Sequence, residues 1–169
     1  MGKKILYIAA SLDGYIAGED GSVGWLDEVE GDGGDNGYQA FYETIDSLLM
    51  GRSTYEKVME LTDDFPYSGK KCYVLSKKLK GQTEHVTFTN EPLQEVLARA
   101  EGNVWIVGGG KVVKDCLAYN LLDDVYITVI PKVLGGGIPL FPIGTKADLS
   151  LVSAEKIGDM VSIHYKRKD

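Results

Sequence analysis

Three short segments of this 169-residue chain place glycine, hydroxyl and basic residues where an apolar run ends. In one, Val104-Trp105-Ile106-Val107 runs straight into Gly108-Gly109-Gly110-Lys111, and a helix is expected from Lys111 to Leu117. Consecutive glycines let a backbone approach a ligand closely, and the helix behind them offers unpaired N–H groups and a positive dipole end. Phosphate is the natural guest. The G-x-G-x-x-G dinucleotide pattern is not met, because Val113 stands where its third glycine would be. A plain tight turn between strand and helix explains these glycines about equally well. In the second segment, Leu49-Met50-Gly51-Arg52-Ser53-Thr54 puts a forked donor and two hydroxyls at the opening of a helix. An ordinary helix cap beside a solvated arginine reads the same residues. The third segment is Leu75-Ser76-Lys77-Lys78. On parallel strands of one sheet the three would meet at its carboxyl edge, where α/β folds bind ligands. With a net charge of −7, cations gathered at strand ends are more informative than their number.

Two further segments need a reason. Ser11-Leu12-Asp13-Gly14 lies at the exit of an apolar run and reads as an Asp-Gly turn or a ligand loop. Pro131-Lys132-Val133-Leu134-Gly135-Gly136-Gly137-Ile138-Pro139-Leu140-Phe141 is a prolonged glycine-rich stretch, either a connection or a second wall of a site. His85 and His164 fall in expected strands and read as structural.

The elements that must position these residues follow from apolar spacing. Strands are expected over 3–10, 47–50, 71–76, 85–89, 104–107 and 124–130, with a terminal antiparallel pair over 149–155 and 160–166. Helices are expected over 39–44, 53–60, 93–100 and 111–117, the second with Ser53 or Thr54 near its cap. Strands separated by helices, then strands alone, give an α/β class with a mainly parallel sheet and an antiparallel end. No repeat, low-complexity tract or Pro/Ser-rich linker interrupts residues 1–169, so a single domain is expected. Cys72 and Cys116 stand alone, without the spacing of a zinc site or a disulfide framework. The acidic balance argues against nucleic acid or an anionic membrane as the main partner. A cytoplasmic protein binding a small molecule, with no metal, is the expectation.

The ordered set of motifs resembles the dihydrofolate-reductase-like superfamily over nearly the whole chain. Met50-Gly51-Arg52-x-Thr54-Tyr55-Glu56, Val74-Leu75-Ser76 and Val107-Gly108-Gly109-Gly110-Lys111 resemble the NADPH-binding segments of dihydrofolate reductases. Ser11-Leu12-Asp13-Gly14 and the Pro131–Phe141 stretch are more similar to the reductase (C-terminal) domain of bifunctional riboflavin-biosynthesis deaminase/reductase proteins. The resemblance implies a three-layer fold, a homodimer and NADPH as cofactor. It places Arg52, Ser76, Lys77 and Lys111 around the 2′-phosphate and adenosine ribose, Thr54 and the backbone of Gly108, Gly109 and Gly110 at the pyrophosphate, and Gly51 and Ser53 among the cofactor-binding residues. Ala9, Ile16 and Val107 would line the nicotinamide pocket. Asp35, 15 residues before Met50, stands about where dihydrofolate reductases keep their pocket acid. As a plain loop residue it would instead cap the helix that follows. Asp13 and Asp27 are weaker candidates for a proton donor.

The chain also departs from the pattern. It has no H-x-E and P-C-x-x-C deaminase signature. After Gly21-Ser22-x-Gly24-Trp25, where the riboflavin branch usually continues with an Arg-bearing stretch, come Leu26-Asp27-Glu28 and an acidic Gly/Asp run. The expected function is an NADPH-dependent reductase of a small heterocyclic or imine/carbonyl substrate, resembling 5-amino-6-(5-phosphoribosylamino)uracil reductase. The alternatives are a dihydrofolate reductase, which the Pro131–Phe141 stretch disfavours, and a non-catalytic nucleotide-binding protein of the same fold.

Overall fold

Lys4–Ser11 (KILYIAAS) is apolar on both faces, as a strand covered by helices on each side must be. In the computed structural model, which describes residues 2–168, it forms β1 inside a nine-stranded sheet. The chain continues through β2 (Tyr15–Ala17), a 3-10 turn (Gly24–Glu28), α1 (Tyr38–Glu43), β3 (Ser47–Gly51), α2 (Arg52–Leu61) and β4 (Lys71–Leu75). Next come β5 (Gly81–Gln82), β6 (Val86–Thr89), α3 (Leu93–Arg99), β7 (Val104–Gly108) and α4 (Gly110–Ala118). The last elements are β8 (Asp124–Ile130), β9 (Ile138–Pro139), β10 (Leu149–Ile157) and β11 (Met160–Arg167).

The sheet runs β10-β11-β8-β1-β7-β3-β4-β6-β5. From β8 to β6 every neighbour is parallel, while β11 pairs antiparallel with both β8 and β10. The α/β class with its antiparallel carboxy-terminal strands is therefore the observed one.

Strand alternation divides the core into two layers. Leu6, Leu49, Val104 and Ile106 face α3 and α4, packing with Val96, Leu97, Val113 and Cys116. Their sequence neighbours Ile5, Leu48, Met50 and Trp105 face the other way, toward the rings of Tyr38, Phe41 and Tyr42 on α1 and Tyr55 on α2. Tyr7 of β1 stacks on Phe41 with centroids 3.9 Å apart and meets the edge of Trp105 at 6.1 Å. Helices cover both faces, so the sheet is the middle of three layers.

Some details differ from the sequence expectation. The short strands β2, β5 and β9 are too brief to show a period. β2 and β9 pair with each other, joining the segment after Gly14 to the glycine-rich stretch. Helix α2 opens at Arg52 with Gly51 as its cap residue, and no side chain caps it, so Ser53 and Thr54 keep their hydroxyls free of that duty. His85 precedes β6 instead of lying in a strand, its ring stacked on Phe65 at 5.6 Å. His164, on β11, bonds Asp124 Oδ1 through Nε2 at 2.7 Å. Among the described residues no helix is long and apolar enough to cross a membrane.

Candidate functional site

A cleft of about 1420 Å³ opens along the carboxyl edge of the parallel strands. It is lined by Ala9 from β1, Ile16 from β2, Gly51 from β3, Arg52, Ser53 and Thr54 from α2, and Ser76 and Lys77 from the turn after β4. Val107 through Lys111, at the junction of β7 and α4, complete the same wall. All the residues expected at a cofactor therefore meet in one place.

The glycines there have separate reasons. Gly108 sits at φ +139°, a conformation that side chains rarely adopt, and the Gly108–Gly109 peptide bond is cis. A Cβ on Gly110 would lie 2.7 Å from the Pro139 carbonyl oxygen, so that position is closed by packing. A Cβ on Gly109 would meet only Thr54 Oγ1, at 3.4 Å. Gly109 thus leaves an open cradle on the cleft side. Helix α4 begins there without a side-chain cap, and its first N–H groups have no side-chain partner.

The cations are arranged to be free. Ser76 Oγ accepts the N–H groups of Lys78 at 3.2 Å and Leu79 at 2.9 Å, which fixes the turn that displays Lys77 and Lys78. Among the described residues neither of these lysines nor Lys111 enters an ion pair. Arg52 holds Glu56 Oε1 through Nε at 2.6 Å, leaving both terminal nitrogens of its fork for an anion. Beside them Thr89 donates to Glu91 at 2.8 Å, and Arg99 also contacts Glu91. These two partners hold the Glu91 carboxyl below the usual range.

Asp35 is the expected site residue that does not line the cleft. It is exposed, and its two carboxylate oxygens accept the N–H groups of Gly37 at 3.0 Å and Gln39 at 2.9 Å. Those bonds are the capping role for α1. Burial, with the Asp35 charge a lesser contribution, raises the Tyr7 phenol above its ordinary value. Asp27 is exposed on the 3-10 turn and lies outside the cleft.

Several lining residues escaped the sequence reading. Tyr7, Thr128, Ile130, Trp105 and Met160 all face the cleft. Tyr7 shares the face of Ala9 by the period of two, and Thr128 is the register partner of Ala9 on β8. The first could have been read from the alternation within β1. The others depend on which strand becomes the neighbour of β1, which no local pattern states.

The RibD C-terminal domain family matches residues 3–163. The chain belongs to that family. It is a family of reductase domains, and the fold described above is similar to that of dihydrofolate reductase. Similar curated proteins include uncharacterized protein YwjB of Bacillus subtilis (strain 168), 49% identical over 98% of both chains. Uncharacterized protein YyaP of the same strain is 28% identical over 81% of this chain and 79% of its own length. Among solved structures, a putative riboflavin biosynthesis protein from Shewanella sp. PV-4 is similar at TM-score 0.88 and 32% identity, over 99% of each chain. Dihydrofolate reductase from Enterococcus faecalis, complexed with NADP(H), is similar at TM-score 0.72 and 25% identity over 99% of this chain and 98% of its own. The deaminase/reductase of Thermotoga maritima shares the fold at TM-score 0.73 and 19% identity, matching 57% of its own length.

Proposed function

We propose that this RibD C-terminal domain protein is an NADPH-dependent reductase that delivers hydride to a small heterocyclic or imine- or carbonyl-bearing substrate. The observation supporting it most strongly is the convergence of Gly51–Thr54, Ser76-Lys77 and Val107–Lys111 on one cleft at the ends of adjacent parallel strands. The Enterococcus enzyme of the same fold was solved with NADP(H), which agrees with this reading.

The residues fit such a cofactor. Arg52, Lys77 and Lys111 present free donors for a 2′-phosphate, and Ser76 orders the turn that carries Lys77. Thr54, Ser53 and the backbone of Gly108 to Gly110 line the cleft, and at Gly109 no Cβ stands between the backbone and a pyrophosphate. Ala9, Ile16 and Val107 offer apolar contacts for a nicotinamide ring. When bound, the reduced nicotinamide supplies the hydride.

The chain must then supply a proton or a hydrogen bond to the group being reduced. Tyr7 lines the cleft two residues before Ala9, and its phenol carries its proton at neutral pH, burial raising it further above its ordinary value. In this reading Tyr7 donates a hydrogen bond to the reducible C=O or C=N. The proposal includes a cytoplasmic homodimer, checked by sedimentation velocity.

The experiment is steady-state loss of reduced-nicotinamide absorbance with dihydropterin and ribosylaminopyrimidine substrates. Turnover of such a ring supports the reductase. Turnover of dihydrofolate alone would make the protein a dihydrofolate reductase, and tight NADPH binding without any turnover would leave a nucleotide-binding protein.

A further inference from the structure

The cleft is divided by charge along the order of the strands. Its cations, Arg52, Lys57, Lys77, Lys78 and Lys111, all follow β3, β4 or β7. One of them, Lys57, reaches Gly21, where it stands near Asp20 and pairs with Glu60 at 3.5 Å. Across Ala9, toward β8 and β11, the walls are Tyr7, Val23, Leu26, Thr128, Ile130 and Met160, none of them charged, and the one charged lining residue of the segment that supplies Val23 and Leu26 is the acid Asp20. The segment from Gly18 to Gly37, which supplies Val23 and Leu26, is acidic and has no Lys or Arg. Lys132, at the exit of β8, is committed to Glu28. At the start of α1 on this side, the Asp35 carboxylate takes the N–H groups of Gly37 and Gln39, and the Asp35 carbonyl takes that of Tyr38.

A phosphate entering this half would lose its water and meet a single cation, Lys57, already held by Glu60 and flanked by Asp20. Nearby carboxylates would repel it as well. An uncharged ring meets the opposite conditions. Apolar walls cover its faces, and the Tyr7 and Thr128 hydroxyls can each donate or accept at its edge.

We infer that the substrate half of the cleft takes an uncharged, unphosphorylated heterocycle, so that the only phosphates bound in the cleft are those of the nucleotide. This rests on the reductase reading and narrows its substrate. The family's namesake chemistry, as printed for the Thermotoga protein, concerns a phosphoribosylamino-uracil. This chain departs from that at the phosphate.

The test uses two probes that differ by one group, 5-amino-6-ribosylaminouracil and its 5′-phosphate. Protein is first titrated with NADP⁺ in a calorimeter, then the saturated complex is titrated with each probe. The expected result is that the unphosphorylated probe binds about tenfold or more tightly than the phosphate, roughly one good contact's worth of difference. Leu26→Arg, which adds a cation to the uncharged wall, should close that gap. Equal or tighter binding of the phosphate by the wild type, no binding of either probe, or a ratio unchanged by Leu26→Arg overturns the inference. Failure of the cofactor reading would show earlier and separately, as a missing first isotherm.

Discussion

The Oδ2 atom of Asp13 accepts the N–H of Gly135 at 2.9 Å, across 122 residues of sequence. Its Oδ1 takes the Ser11 hydroxyl at 2.6 Å and the Leu134 N–H at 3.1 Å. The Ser11 hydroxyl and the two loop amides hold the Asp13 carboxyl below the usual range. Asp13 is therefore an ionised acceptor that binds the exit of β1 to the glycine-rich stretch, and it is no proton donor. Asp13→Ala should speed amide exchange at Leu134 and Gly135 together, and loosen Ile16 beside the cleft. Because the folded pKa is depressed, this tie is complete above the ordinary Asp value of about 3.9 and is lost as pH falls through the folded value. The protection factors of these amides in the wild type, with the base-catalysed intrinsic rate divided out, should thus stay constant from neutrality down to that range. A fall in protection already near neutrality would contradict the assignment.

Adjacent glycines should answer differently to the same change. Gly109→Ala adds a methyl at ordinary contact distance from Thr54, so the melting temperature without ligand should hold. The methyl fills the cradle, and NADPH affinity should fall by about tenfold or more. Gly110→Ala drives its Cβ against the Pro139 carbonyl and should cost about 1–3 kcal/mol of stability by overpacking. Calorimetric melting and NADPH titration of both variants separate the two roles. Parallel losses in both variants would mean that Gly109 serves only the fold.

Tyr7→Phe removes a hydroxyl but keeps the ring that stacks on Phe41. NADPH affinity should stay near wild type while the single-turnover rate falls by about 10²-fold or more. Asp35→Asn should still cap α1, since Asn caps about as well as Asp, and should leave both NADPH affinity and the single-turnover rate near wild type. A wild-type rate in Tyr7→Phe removes Tyr7 from the chemistry.

Burial pushes both thiols, Cys72 and Cys116, up to about 12. Neither should react with a disulfide-exchange reagent at mildly alkaline pH in the native protein, because the thiolate is the reactive form. Both should react once the protein is unfolded in denaturant. Rapid labelling of the native protein would show that one of the two core layers opens readily.

The wall proposed for the cofactor was legible in the sequence because its residues are local. Strands ending in Gly108-Gly109-Gly110-Lys111 and in Gly51-Arg52-Ser53-Thr54 each admit a plain turn or cap, and it was their shared order that pointed to one cleft edge. The parallel sheet was legible for the same reason, from apolar runs separated by helical spacing. The substrate wall was not, since Tyr7, Thr128 and Met160 become neighbours only through strand order and register. Asp35 shows the limit most clearly. Its distance from Met50 suits an acid, but two backbone amides claim the carboxylate, and only the fold shows that it stands outside the cleft. Likewise the loop from Pro131 to Phe141 gained its reason when β9 met β2 and Asp13 met Gly135.

The central claim is that the free cations beyond β3, β4 and β7 recognise a 2′-phosphate. The measurement is calorimetric titration with NADPH and with NADH under identical low-salt conditions. A charge-assisted contact contributes about 1.5–3 kcal/mol, so even one of Arg52, Lys77 and Lys111 should make NADPH bind about tenfold or more tightly. Added salt should narrow the gap, since these side chains are accessible to solvent. Equal affinity for the two nucleotides would contradict the account.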